Sequence, residues 1–174
     1  MIKTEYENPL LKDCHNFPDS IYMFKKAKGN PILNGKHAKD LMDLRFKDVQ
    51  LIKDTLQQPN EKDMFRIIKK VFDFDDFENI RLLEFYKAYN YIAEQIKIIY
   101  ESEKRLISEP SQQLIAAGIE KMAIFGALNV LDDIGKRFGY KPQKVEKWSY
   151  AWVFSLSLKM KYESDIQKNL ENAK

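Results

Sequence analysis

Cysteine is almost missing from this chain, and the single Cys14 has no second thiol to pair with, which excludes an internally cross-linked fold. Histidine is nearly as scarce. His15 and His37 are the only two, and neither has a further ligand at metal-binding spacing. Cys14 and His15 are neighbours, and on an extended chain their side chains point in opposite directions. Glycine and proline number six each in 174 residues and fall mostly at junctions, and no Gly-rich phosphate-loop pattern is among them. Long apolar runs are missing too. The longest uncharged ones, Met122–Leu131 and Trp148–Leu158, hold ten and eleven residues, against the roughly twenty of a membrane span.

No stretch carries a strong field of one sign. The net charge is +3, and Lys plus Arg stand against Asp plus Glu as 10 to 8 in residues 1–58, 9 to 10 in 59–107 and 10 to 8 in 108–174. Such balance gives no argument for a nucleic-acid partner from charge alone. The first nine residues lack the apolar run of a signal peptide, so the expectation is a soluble protein that folds inside a cell.

What is present is a globular composition, 44% hydrophobic and 32% charged, with rings to spare in eleven Phe and nine Tyr. Residues 1–17 show no period and read as an extended arm, with Asn8-Pro9 opposing helix. Residues 18–174 read as one helical domain. Pro18 opens a short helix through Ile21–Phe24 that stops at Lys28-Gly29, and Asn30-Pro31 and Asn34-Gly35 predict a loop or a small hairpin around 28–40. Apolar residues at helical spacing then predict helices over 41–56, from Asn60 as N-cap to Phe72, and over 81–107. Ser108 or Glu109 is the expected cap of the next helix, 110–137, whose Gly118 and Gly126 each weaken it by about 1 kcal/mol and make a break near Gly126 expected. A final helix spans 143–172. The fold class is therefore all-α, a bundle of five or six helices, with a core containing Phe65, Ile68, Phe72, Phe85, Ile92, Ile96, Ile124, Leu131, Trp152 and Leu156.

Three constellations invite a chemical reading. Asp73-Phe74-Asp75-Asp76-Phe77 has the look of half a calcium loop, but it lacks the central Gly, so it reads as a solvated loop. Asp132-Asp133 diverge by about 100° on a helix and make no carboxylate pair. Lys136, Arg137, Lys141, Lys144 and Lys147, interleaved with Phe138, Tyr140 and Trp148, are the residue types that meet phosphates and stack bases, although cations at a helix C-terminus also serve its dipole. No catalytic, cofactor or metal site is assigned.

Glu109-Pro110, Ala116-Ala117-Gly118-Ile119, Phe125-Gly126, Leu131-Asp132-Asp133-Ile134 and Trp148-Ser149-Tyr150 with Val153-Phe154 give residues 106–162 their character. In these residues the chain resembles the small helical structural and assembly proteins of tailed bacteriophages. The resemblance implies a non-enzymatic virion or assembly role, a connector or ring subunit beside the portal or else a tail-assembly chaperone. It implies copies of itself and other phage structural proteins as partners, and a location in the host cytoplasm and then the virion. Independently of it, Tyr6, Leu10, Leu11 and Phe17 are spaced along the arm as partner-binding anchors. The alternatives are the chaperone and a nucleic-acid-binding helical domain using residues 136–147.

Overall fold

The structure, a computed structural model, describes residues 10–12, 24–107 and 110–173. The protein is mostly helical. Among the described residues it forms seven α-helices, α1 (Phe46–Gln57), α2 (Glu61–Phe72), α3 (Leu82–Glu103), α4 (Gln112–Ala116), α5 (Ala127–Phe138), α6 (Pro142–Val145) and α7 (Tyr150–Asn172). Two 3-10 segments, Lys104–Leu106 and Ile119–Phe125, and one antiparallel pair of strands, β1 (Ile32–Leu33) and β2 (Lys36–His37), complete the set. The chain divides into two compact units, residues 1–41 with 51–98 and residues 42–50 with 99–174.

In the first unit the expected hairpin is present, and its turn chemistry explains it. Asn34 and Gly35 both take positive φ, 48° and 77°, the requirement of a two-residue type I′ turn whose twist suits the flanking strands. Leu33 alone among the strand residues is buried, and it anchors the hairpin in the core. Asn60 caps α2 as expected, its side-chain oxygen accepting the Asp63 N–H at 3.0 Å. Ile67, Ile68, Val71 and Phe72 form the buried face of that helix. In α3, Leu82, Phe85, Ala88, Ile92 and Ile96 are buried at spacings of three and four, and the Phe72 ring lies 6.3 Å from that of Tyr91. Phe65 is only half-buried, its ring 5.5 Å from that of Phe85 and 4.7 Å from that of Phe77.

The acidic run is a loop, as expected. Asp73 ends α2 in the left-handed region, and Phe74 is buried. Its carboxylates are engaged with neighbours. Asp75 lies 3.1 Å from the Lys69 ammonium, which holds its carboxyl below the usual value, and Asp76 accepts from the Asn79 amide at 2.9 Å. Residues 25–30 are strapped along α3. The Asn90 amide donates to the Ala27 carbonyl at 2.6 Å, and the Asn30 N–H donates to the Lys87 carbonyl at 3.0 Å. Of the expected helix at 18–28, residues 18–23 lie outside the described residues, and the chain turns at Phe24–Lys26.

In the second unit the ends of two expected helices are cut back by one device. Phe46 donates its N–H to the Trp148 carbonyl, and Tyr150 donates to the Leu44 carbonyl, both at 2.8 Å. Backbone groups engaged in that antiparallel pairing cannot serve a helix, so α1 starts at Phe46 rather than Leu41, and the expected helix 143–172 splits into α6 and α7. Ser149 then caps α7, accepting the Trp152 N–H at 3.3 Å. The expected helix 110–137 is broken twice, at Gly118 and at Gly126, which sit at φ 81° and 47°. Its N-cap is Ser111, one turn's start later than the expected Ser108 or Glu109, both of which lie outside the described residues.

Tyr150 is the centre of the second core. Its ring stacks between Phe46 (5.8 Å) and Phe154 (6.3 Å), and its hydroxyl donates to the Glu103 carboxylate at 2.5 Å. Burial first, and then the bond to Glu103, push the phenol far above its ordinary 10.0. The folded state therefore holds the neutral phenol more tightly than the unfolded chain does. That contribution is complete below the unfolded value and is lost as pH rises past about 10. Denaturant midpoints taken across that range should fall more steeply for the wild type than for Tyr150→Phe. Parallel profiles would show that the hydroxyl is not held this way.

Candidate contact surface

Residues 107–128 of the second unit join the end of the 3-10 turn after α3 to the first turn of α5. Their sequence decides their exposure. The run from Pro110 to Gly126 has charges only at Glu120 and Lys121, and its two glycines at positive φ redirect the chain before any one apolar face grows long enough to dock. Neither α4 nor the 3-10 segment Ile119–Phe125 contains a buried residue. Local bonds hold the path: Ser111 accepts the Leu114 N–H at 3.3 Å, and the Asn129 amide donates to the Met122 carbonyl at 2.7 Å.

The outcome is a concentration of large apolar side chains in water. Ile124 is 82% exposed and Ile107 72%, with Leu114, Ile115, Ile119, Met122, Phe125 and Leu128 between 38% and 51%. At about 200 Å² for a fully exposed side chain of this size, these residues offer on the order of 900 Å². Ile124 was an expected core residue, and the structure corrects this, because Gly126 turns the chain away just beyond it. Trp152, also expected in the core, is 54% exposed; Val153 and Leu156 take the buried face of α7 instead.

The basic residues are placed together but partly neutralised. Lys136 pairs with Asp132 at 2.5 Å, which raises its pKa, and Arg137 pairs with Glu163 at 2.6 Å. Lys144 sits 4.0 Å over the Tyr140 ring, which meets Trp148 edge to face. Lys141 and Lys147 are exposed beside them on either side of α6. Two of the five cations thus face carboxylates and a third faces a ring, which weakens this group as a phosphate-binding surface.

Of the arm anchors, Tyr6 and Phe17 lie outside the described residues, as do Cys14 and His15. Leu10 forms a bridge with Arg81, and Leu11 donates its N–H to the Ile80 carbonyl at 2.8 Å, both side chains half-buried. These two therefore contact their own chain. His37 is exposed on β2, opposite Ile32.

A groove of about 610 Å³ runs along α7 between Arg137, Met160, Glu163, Ile166, Gln167 and Leu170. In the first unit about 440 Å³ is enclosed by Lys25, Pro59, Met64, Tyr86, Tyr89 and Asn90, where the Asn90 amide already serves backbone carbonyls. Among the described residues no group of three or more His, Cys, Asp or Glu is placed to hold a metal ion, and no helix is long and apolar enough to cross a membrane. Compared with known proteins, the chain matches no protein-family model, no curated protein and no solved structure.

Proposed function

We propose that this protein is a non-enzymatic structural or assembly protein that works by protein–protein contact, with residues 107–128 as the principal contact surface. The observation that carries the reading is the exposure of eight large apolar side chains in one short stretch, with only one charge of each sign from Pro110 to Leu128. An apolar area of this order matches the roughly 800 Å² that each partner contributes to a stable interface. A near-neutral surface is also one that does not repel a copy of itself. The resemblance of residues 106–162 to small helical phage proteins supports a ring or connector subunit that is made in the host cytoplasm and built into a virion. A tail-assembly chaperone is the alternative within the same class.

Light scattering or native mass spectrometry of the full chain tests this directly. The wild type should be oligomeric at micromolar concentration. Ile124→Asp should give a smaller species, with the contact weakened by about 100-fold or more because a charge is buried unpaired. Its melting temperature as a monomer should not move, since the side chain is outside the core. A wild type that stays monomeric at all concentrations would refute a ring subunit.

A further inference from the structure

Beyond Leu156 no described residue of α7 is buried, yet the helix continues to Asn172. The exposed side of this helix is not polar. Residues 100° apart per step place Trp152, Ser155, Lys159, Tyr162, Ile166 and Leu170 on one face, all of them exposed. Trp152, Tyr162, Ile166 and Leu170 are 54%, 48%, 59% and 62% exposed. Those four alone present on the order of 500 Å², and the stem of Lys159 with Ser155, Glu163 and Asn169 brings the face near the roughly 800 Å² per partner that a stable pair needs.

The order of residues along the face is self-complementary when the helix is reversed. Turned about a two-fold axis near residue 161, the helix meets its own copy with Trp152 against Leu170, Ser155 against Ile166 and Lys159 against Glu163. Tyr162 lies beside the axis near its own counterpart, and each of the other pairs joins unlike partners: ring and aliphatic, small and large, cation and carboxylate. Within one chain Lys159 lies 3.8 Å from Glu163, whose carboxylate Arg137 also holds at 2.6 Å, so the pair stands at the edge of this face. A parallel pairing would instead put Lys159 against Lys159 and Glu163 against Glu163, like charges at the contact.

We infer that the exposed face of α7 binds a second copy of this chain as an antiparallel helix pair, with Lys159 of each copy on Glu163 of the other. This inference rests on the reading that the protein self-associates, and it names an isologous contact separate from residues 107–128. A chain with both contacts can extend beyond a dimer, because one surface closes a pair and the other joins pairs.

Cysteine cross-linking in a Cys14→Ser background tests it, because the two residues of a matched pair come from different copies. Ser155→Cys and Ile166→Cys are about 16 Å apart on one helix, too far to join within a chain. The double variant should therefore give a disulfide dimer on mild oxidation, doubling the mass on a non-reducing gel, while neither single variant links. Links in either single variant would mean a parallel or collisional contact and would overturn the inference. The same set is repeated with Ile124→Asp. Links that persist there support the α7 contact independently of residues 107–128. No link in a chain that light scattering shows to be oligomeric would overturn the α7 pair and leave self-association standing. No link in a chain that is monomeric throughout would remove both.

Discussion

Phe85→Ala should lower stability by about 3–5 kcal/mol, measured as the shift of the urea or thermal midpoint. The ring is 3% exposed and lies edge-on to Phe65 at 5.5 Å. Removing it deletes its transfer free energy and leaves a cavity that the surrounding helices only partly close. Trp152→Ala is the contrasting measurement. It removes a larger side chain, but one 54% exposed, so its effect on the isolated monomer should stay below about 1 kcal/mol. A loss above 3 kcal/mol for Trp152→Ala, or below 1 for Phe85→Ala, would reverse the assignment of which ring is core.

The difference between those two rings shows what sequence periodicity carries. In α2 and α3 the apolar residues recur at three and four, the cap at Asn60 and the end at Phe72 are marked, and burial follows the stripe. In α7 the apolar residues are too many for one face: Trp152, Val153, Phe154 and Leu156 all qualify, and their order does not tell which side meets the core. That choice is made by Tyr150, whose ring is fixed between Phe46 and Phe154 and whose hydroxyl reaches Glu103. The partner residues are 104 and 47 positions away in sequence, a pairing that no local pattern announces. The backbone pairing of 42–47 with 146–151 was equally hidden, and it moved two helix boundaries.

The contact surface was half visible. Gly118 and Gly126 were legible as weak points, and a run so apolar and so uncharged stood out. With both glycines at positive φ the helix does not form through them, and the apolar residues stay at the surface. The arm was less legible still. Leu10 and Leu11 pair with Ile80 and Arg81 through backbone groups, and backbone pairing leaves no side-chain signature.

Gly135→Ala should destabilise the protein by about 1–3 kcal/mol, although helix propensity alone predicts the opposite sign. In the interior of an exposed helix the change would gain about 1 kcal/mol. Here, however, a Cβ would collide with the Tyr140 carbonyl oxygen, an atom that has little freedom to move. The Gly135 carbonyl accepts the Tyr140 N–H at 2.8 Å and also the N–H of Gly139, which sits at φ 73° as the helix cap. These two hydrogen bonds to one carbonyl fold the chain back tightly against α5, and Pro142 then starts α6 from the first helical position, where its missing N–H is harmless. Relieving the collision means opening this turn, which loosens Val145 and Ile134, both fully buried nearby in the sequence. The check is the unfolding midpoint of Gly135→Ala against Gly139→Ala. The second variant strains only φ and meets no atom within 4 Å, so its loss should be near 1 kcal/mol. Equal losses, or a gain for Gly135→Ala, would mean that the turn yields freely and that close approach at residue 135 does not hold α5 to α6.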